Sequence, residues 1–472
     1  MKEDCSLLTT NMTIDPILNL PYELIAEILT DWLKIESVVH LDSAYCRRSI
    51  RHHFLQMLSW RRFKLFSTTK SKASFILWMI ARKIRVARLV CTQALCMAEV
   101  SRSVKKEDST IRKVVLNSLL DSDTTEIGAV LAYHCCNIRI LRIIGCKLEI
   151  VLQNILAKNR ELRELFLSRG RSRERYSAFR ENISFDGIKC PKLETVIIEG
   201  YLIGVEQYVS ILNMSEHLQQ FTCSGVDSTS SVASTLHHLR SLSLPTSTMQ
   251  EPDIVRFARA FPSVTNLSLT DPSDALILTL ARSCACIRTL SLQSYYPSMT
   301  HLSLQFVASY HAQSLQVLYI NQCPIFTTTA VTTLLRKCPN VHTLSVDDAD
   351  DEENNKLILS SAFMESIHDH PSLRTLLISG TWLNEVTIHA LSQHGSNLTT
   401  LGIACMHGLE ALATVLENCA SLRTLYAPRA KPAQVIEWRV VNPKLMIYTG
   451  PRVDHVFVYK CTNYPTYMHE VT

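Results

Sequence analysis

Glycine is scarce in this chain, twelve residues in 472, and that scarcity excludes several chemistries at once. No Gly-x-x-x-x-Gly-Lys phosphate loop is present, nor Gly-x-Ser-x-Gly, nor a His-Glu-x-x-His metal motif, so no catalytic site is expected and the chain is read as a non-enzyme. Long apolar runs are also missing. The most apolar stretch, Ala73 to Ala81, is nine residues long and ends at Arg82 and Lys83, well short of the roughly 20 a bilayer helix needs. It reads as a buried helix, and no membrane partner is expected. Met1 to Leu20 has no cationic segment leading into a sustained apolar core, so no signal peptide is read there. Charge of one sign is not concentrated either. The formal net charge of +5 is mild for this length, and nothing in its distribution calls for nucleic acid.

Cysteine, by contrast, is abundant. Sixteen cysteines without a secretory signal point to a reducing compartment, cytoplasmic or nuclear, where thiols act as small apolar groups. Cys135, Cys190, Cys284, Cys338 and Cys419 each stand three residues before an apolar residue that recurs along the chain, which argues against disulfides. The His134-Cys135-Cys136 cluster and the Cys284-Ala285-Cys286 pair lack a second ligand pair at zinc-like spacing. No metal and no cofactor is expected. His52-His53, His237-His238 and the His368/His370 pair read as exposed turn or helix-end residues.

The recurring pattern is apolar-x-x-apolar-x-apolar. Clear copies begin at Ile138, Leu162, Leu193, Leu218, Leu239, Val264, Ile287, Leu315, Val341, Leu373, Leu398 and Leu422, and weaker ones at Val86, Ile111 and Leu445. In Thr289-Leu290-Ser291-Leu292 alternate residues are apolar, the mark of a strand with one buried face. Between strands the period changes. Ala330, Leu334 and Cys338 fall on one helical face, so each unit is strand, loop, helix. No such unit buries both its surfaces alone; neighbours must stack, giving a parallel sheet with helices outside and strands lining a concave side. The fold class expected is α/β, a leucine-rich-repeat solenoid over residues 86–450 with a curved parallel sheet.

Cys338-Pro339-Asn340-Val341, and Leu318-Tyr319-Ile320-Asn321-Gln322-Cys323 before Thr328 to Leu335, resemble the cysteine-containing class of leucine-rich repeats. The average step of about 26 residues agrees with that class. Residues 16–60 follow another rule. Pro21 sits early in a helix whose one face carries Leu24, Ile25, Ile28 and Leu29, and two further amphipathic helices follow. About forty residues rarely make a sufficient core, so this module must dock onto something. Leu20-Pro21-Tyr22-Glu23-Leu24, followed by Ile28, Leu33, Val38, Leu41 and Cys46, resembles the F-box. The resemblance implies a substrate-recognition subunit of an SCF-type ubiquitin ligase. On that reading Leu20, Pro21, Glu23, Leu24, Ile28, Leu33, Val38, Leu41 and Cys46 bind a Skp-type adaptor of the cullin-RING ligase, and the repeats bind a protein substrate. The family commonly has a basic residue and Trp after the Cys; here Arg47-Arg48-Ser49-Ile50-Arg51 follows, with no Trp until Trp60. Two alternatives stay open at this stage: an amino-terminal cap on the first repeat, or an interaction scaffold or regulator with no ubiquitin link. A linking helix is expected over 61–85, and tails at 1–15 and 451–472, the latter read as a cap or loose end.

Candidate substrate contacts follow from the repeat's own geometry. Hydroxyl residues dominate between the apolar anchors, with Thr195, Ser241, Thr289, Thr343, Thr375, Thr400 and Thr424 before the second anchor and Thr222, Ser243, Ser268, Ser291 and Ser345 after it. One position earlier stand Arg139, Arg163, Arg240, Arg288, Arg374 and Arg423, a basic edge suited to an acidic or phosphorylated ligand. Arg240, Arg288, Arg374 and Arg423, with Tyr319 and Tyr426, are the candidate substrate-binding residues. Two long steps carry charged insertions of opposite sign, Arg169, Arg171, Arg173, Arg175 and Arg180 in one and Asp347, Asp348, Asp350, Asp351, Glu352 and Glu353 in the other. Both follow a strand directly, which places them on one rim.

Overall fold

The computed structural model describes residues 64–66, 85–91 and 111–117 and, with gaps, 128–169 and 185–449. The F-box-like module 16–60, the tails 1–15 and 451–472, the run Ala73 to Ala81, and both charged insertions apart from Arg169 and Asp347 lie outside the described residues. The chain is a leucine-rich-repeat solenoid, and it divides into two units, one of residues 1–175 with 188–193 and one of residues 176–187 with 194–472.

In the first unit the strands β1 (Lys64–Phe66), β2 (Arg85–Cys91), β3 (Lys113–Asn117), β4 (Ile140–Ile144) and β5 (Glu164–Ser168) pair in chain order, all parallel. Helix α1 (Glu149–Lys158) connects β4 to β5. Strand β1 corrects one expectation. Lys64–Phe66 lies inside the stretch read as a linking helix over 61–85, yet it pairs edge to edge with β2. Regular stacking therefore starts one strand before Val86, because Leu65 sits level with Val86 in the sheet.

The second unit continues the same construction. Its main sheet runs β6 (Thr195–Glu199), β8 (Gln220–Cys223), β10 (Ser241–Pro245), β11 (Asn266–Thr270), β12 (Thr289–Gln293), β13 (Val317–Asn321), β14 (Thr343–Asp347), β15 (Thr375–Ser379), β16 (Thr400–Ala404), β17 (Thr424–Tyr426) and β18 (Met446–Tyr448). A parallel two-residue pair, β7 (Ile203–Gly204) and β9 (Val226–Asp227), stands apart. The connecting helices are α2 (Val205–Leu212), α3 (Asp274–Ser283), α4 (His301–Tyr310), α5 (Thr328–Lys337), α6 (Ser361–His368), α7 (Leu412–Asn418) and α8 (Pro432–Val441).

The apolar anchors explain this arrangement. From Ile138 to Leu422, none of the twelve first anchors is more than 3% exposed. The second anchors lie level across the sheet, as Leu290, Leu318, Leu344 and Leu376 do. Within the second unit each buried row is thus one continuous ridge, and helix positions such as Leu334, Leu335 and Cys338 close over it. Full burial of a leucine removes its surface from water at about 25 cal/mol per Å², so the repeat is held chiefly by these rows. Backbone pairing begins ahead of each strand: the Thr265 carbonyl accepts from both Arg288 N and Thr289 N. Asp274, in the first turn of α3, ties one repeat to the next by accepting from Thr300 N at 2.9 Å, Thr300 Oγ1 at 2.7 Å and Ser303 Oγ at the start of α4. Burial alone would raise its carboxyl, but the hydrogen bonds from Ser303 and Thr300 outweigh it and hold the pKa below the ordinary value.

In several repeats the residue three or four places before the first anchor ends the helical segment, and its side chain bonds to backbone groups buried beneath it. Different residue types do this. Cys284 Sγ donates to the Phe261 carbonyl at 3.4 Å, and Cys190 and Cys419 sit comparably against Leu156 and Leu391. Asn159 accepts from Ile138 N at 2.9 Å and donates to the Ile155 carbonyl at 2.8 Å. Burial pushes the thiols up, Cys284 to about 12 and Cys190, Cys338 and Cys419 to about 11, so at neutral pH they are unreactive fillers. At Gly395 the place is left empty for the next repeat's cysteine, since an added Cβ would meet Cys419 Sγ at 2.9 Å. Gly395→Ala should cost about 1–3 kcal/mol through overpacking, and adding Cys419→Ala should recover part of that loss in a denaturation series. An additive pair of costs would show that the two residues do not compete for one space.

His370 occupies the same place and departs from the sequence reading, which made it exposed. It is buried, its Nε2 donating to the Cys338 carbonyl at 3.0 Å and its Nδ1 accepting from Leu373 N at 3.2 Å. A protonated ring would turn the accepting nitrogen into a donor facing an N–H. Burial lowers the pKa of His370, and also that of His311, below the ordinary 6.5. The unfolded chain then binds protons that the folded one refuses as pH falls below 6.5, so this contribution is complete above that pH and declines beneath it. The melting temperature should fall between pH 7.5 and 5.5, and His311→Asn with His370→Asn should flatten that slope. An unchanged slope in the double variant would place the pH dependence elsewhere.

Candidate functional site

Alternation along each strand sends the second and third anchors to the helical side, which leaves the residues between them on the opposite, open face of the sheet. In the second unit the middle row of that face is set by register. It runs Ile197, Thr222, Ser243, Ser268, Ser291, Tyr319, Ser345, Leu377, Gly402, Tyr426 and Tyr448, each level with the next. After Ile197 the row therefore changes character along its length, from small hydroxyl residues to a stretch where aromatic and aliphatic ones enter.

Tyr319, Leu377 and Tyr426 form one cluster there. Leu377 is buried, with the half-buried rings of Tyr319 and Tyr426 packed against it. Tyr319 and Leu377 lie two strands apart, about 10 Å, and so do Leu377 and Tyr426. A tyrosine ring covers that gap only if the strand between carries something small. Ser345 and Gly402 are those residues, level with Tyr319 and Tyr426 respectively. Tyr426 also stacks on Tyr448, ring centroids 5.0 Å apart and planes 18° from parallel. Offset aromatic stacking of this kind adds about 0.5–1.5 kcal/mol beyond area burial.

The hydroxyl expectation is met unevenly. Thr222, Ser291 and Ser345 are buried, whereas Ser243, Ser268 and the threonines Thr289, Thr343, Thr375, Thr400 and Thr424 keep partial exposure. Among the described strands of the second unit's main sheet, no open-face position holds lysine or arginine. Glu199 and Asp347 are the charged residues at such positions, and burial raises the Glu199 carboxyl.

The arginine row stands elsewhere. Arg240, Arg288, Arg374 and Arg423 are exposed and precede their strands, along the margin where strands begin. They are interleaved with neutral or weakly basic residues. By backbone register Thr265 separates Arg240 from Arg288, Gln316 and His342 separate Arg288 from Arg374, and Thr399 separates Arg374 from Arg423. The nearest pair is two strands apart, beyond the roughly 8 Å over which exposed charges act at physiological salt. Two of the guanidinium groups are engaged by backbone: Arg374 donates to the Leu373 and Pro371 carbonyls at 2.9 and 3.0 Å, and Arg240 to that of Ser263 at 3.4 Å. In the first unit Arg139 and Arg163 neighbour Glu161, whose carboxyl is held below its ordinary value chiefly by a hydrogen bond from Lys192. In the second unit the arginines are thus spaced, solvated charges, whereas in the first unit Arg139 and Arg163 stand in consecutive register.

The six candidate substrate residues separate into two groups, four arginines on the margin and Tyr319 with Tyr426 on the open face. Leu377 and Tyr448 join the second group and were missed. Their signal was available, because both break a row that is otherwise mostly serine and threonine. The adaptor residues Leu20 to Cys46 lie outside the described residues. Cys135 is buried and Cys136 exposed, so the two thiols of that pair do not share a surface, and among the described residues no three potential ligands come together for a metal. No helix among the described residues is long and apolar enough to cross a membrane.

No protein-family model matches this chain, and no curated protein does. Two solved structures similar to it are the yeast Rad7 and Elc1 complex, at 14% identity over 75% of this chain and 91% of that one, TM-score 0.44, and the TLR13-ssRNA13 complex, at 13% identity over 79% of this chain and 59% of that one, TM-score 0.34.

Proposed function

We propose that this protein is the substrate-recognition subunit of an SCF-type ubiquitin ligase, holding a protein substrate on its repeats and a Skp-type adaptor of the cullin-RING ligase through residues 16–60. The observation that carries the recognition half is the open face of the second unit, without lysine or arginine in its described strands and with Tyr319, Leu377, Tyr426 and Tyr448 gathered at one end. Tyrosine supplies large apolar area with a polar tip at low entropic cost, which suits protein recognition, and interface centres are poor in charge. That face favours a substrate segment bearing apolar side chains. An acidic or phosphorylated ligand would depend on the marginal arginines, which are spaced and partly engaged. The ligase half is supported by Leu20-Pro21-Tyr22-Glu23-Leu24 and the apolar positions after it. Ubiquitin transfer would then rely on effective concentration, with no chemistry by side chains of this chain, in the cytoplasm or nucleus.

The test is copurification of the full chain with a Skp-type adaptor, wild type against Pro21→Ala with Leu24→Ala. Wild type should retain the adaptor, and the double variant should lose at least tenfold of it with an unchanged melting temperature. If neither bait retains adaptor, the ligase reading is wrong and the chain is an interaction scaffold.

A further inference from the structure

Helix α4 carries an apolar line on its outer surface that the helices packed on either side of it lack. Residues four apart on a helix stand one above the other, so positions can be compared by counting back from the buried residue that closes each helix. At the first, fifth and ninth positions α3 has Ser283, Thr279 and Ala275, and α5 has Lys337, Thr333 and Thr329. Helix α4 has Tyr310, Phe306 and Leu302 there. Tyr310 is 47% and Leu302 41% exposed, with Phe306 half-buried between them. The inner face of α4 already fills the core through Leu304, Val307 and Ala308, so the repeat itself has no use for this outer line.

Arg282 fixes the direction in which the line points. Its Nε donates to Tyr310 Oη at 2.9 Å, and its guanidinium lies 5.8 Å from the centre of that ring. The line therefore borders the furrow between α3 and α4, where half-buried Leu278 stands one turn before Arg282. Charge around it has one sign. Arg282 and Arg336 hold the same place in α3 and α5, Lys337 follows, and all three are exposed. Across the three helices the only carboxylate is Asp274, which is committed to Thr300 and Ser303. Basic residues in a last turn also suit the helix dipole, but that does not account for outward apolar residues on the helix between them.

We infer that this furrow is a second docking surface, taking an acidic amphipathic helix of a partner protein. A line of apolar side chains at helical spacing, about 12 Å long, fits a helix laid along it, and a basic rim selects acidic flanks. A lipid surface would call for apolar residues on α3 and α5 as well. The furrow lies across the sheet from Tyr319 and Tyr426, so it leaves the open face to the substrate.

The probe is a fluorescein-labelled peptide of about four helical turns, with leucines alternately three and four residues apart and glutamates between them, titrated by anisotropy against the full chain. Leu302→Gln with Tyr310→Gln should weaken binding about tenfold, and Arg282→Ser with Lys337→Ser about fivefold. Tyr426→Ala should leave it unchanged, and a peptide with lysine for every glutamate should bind about tenfold more weakly. Should the glutamine variant melt early, the serine variant decides, since both of its sites are exposed. Absent binding, equal binding of the two peptides, or loss of binding in Tyr426→Ala would overturn the inference. So would self-association of the full chain, or its capture by phosphatidylserine vesicles, that these substitutions abolish, which would assign the furrow to a second copy or to lipid.

Discussion

Asn159→Leu should lower the unfolding free energy by about 2 kcal/mol, although leucine has the same branched four-atom side chain as asparagine and is more apolar. Asn159 is fully buried, and its amide serves two backbone groups at once, the N–H of Ile138 and the carbonyl of Ile155. Leucine leaves the Ile138 N–H buried and unpaired, at about 1–3 kcal/mol, while the Ile155 carbonyl keeps the backbone N–H of the same residue as its donor. Asn159→Asp separates the two halves: its carboxylate still accepts from Ile138 N but repels the Ile155 carbonyl and is itself buried, so it too should be costly. Urea denaturation followed by far-ultraviolet circular dichroism measures both. A loss below about 1 kcal/mol for leucine would mean that water or a backbone shift satisfies the Ile138 N–H.

Trp438→Ala is expected to cost about 3–5 kcal/mol, the range for removing a large buried aromatic. Among the described residues Trp438 is the largest fully buried side chain, and it anchors α8, the last described helix, against the rest of its unit. Its indole Nε1 has no hydrogen-bond partner among the described residues. Trp438→Phe should therefore be much milder, about 1–2 kcal/mol, because it removes ring volume without breaking a hydrogen bond. If phenylalanine proved as harmful as alanine, a polar role for the indole nitrogen would have to be sought. The same denaturation curves decide this, and the alanine variant should also quicken exchange at Met446–Tyr448, since β18 follows α8 directly.

Much of this architecture is legible from periodicity. The spacing of Ile287, Leu290 and Leu292 is a strand with one buried face wherever it recurs, and the strands fall where that spacing places them, as β12 does. Lys64–Phe66 escaped because a three-residue strand is too short to show alternation, and its pairing with β2 is a long-range event. His370 was misread because a helix-end histidine is ordinarily solvated; only the Cys338 carbonyl, 32 residues earlier, makes burial tolerable. The candidate surface was legible in part. Tyr319 and Tyr426 could be singled out one at a time, but Leu377 between them gains meaning only when β13, β15 and β17 are laid side by side.

What residue order determined alone is the repeat: which positions are apolar, where the period changes from two to near four, and hence that like units must stack to bury a shared interior. These properties are local, and local spacing encodes them. What tertiary structure decided is which residues 25 to 60 apart become neighbours. Register across parallel strands set Tyr319, Leu377 and Tyr426 together over Ser345 and Gly402, and it spread Arg240, Arg288, Arg374 and Arg423 along a margin too widely to act as one charge. Helix lengths and insertions between strands vary while the ladder keeps its spacing, so adjacency on the open face is a property of the sheet and not of distance along the chain.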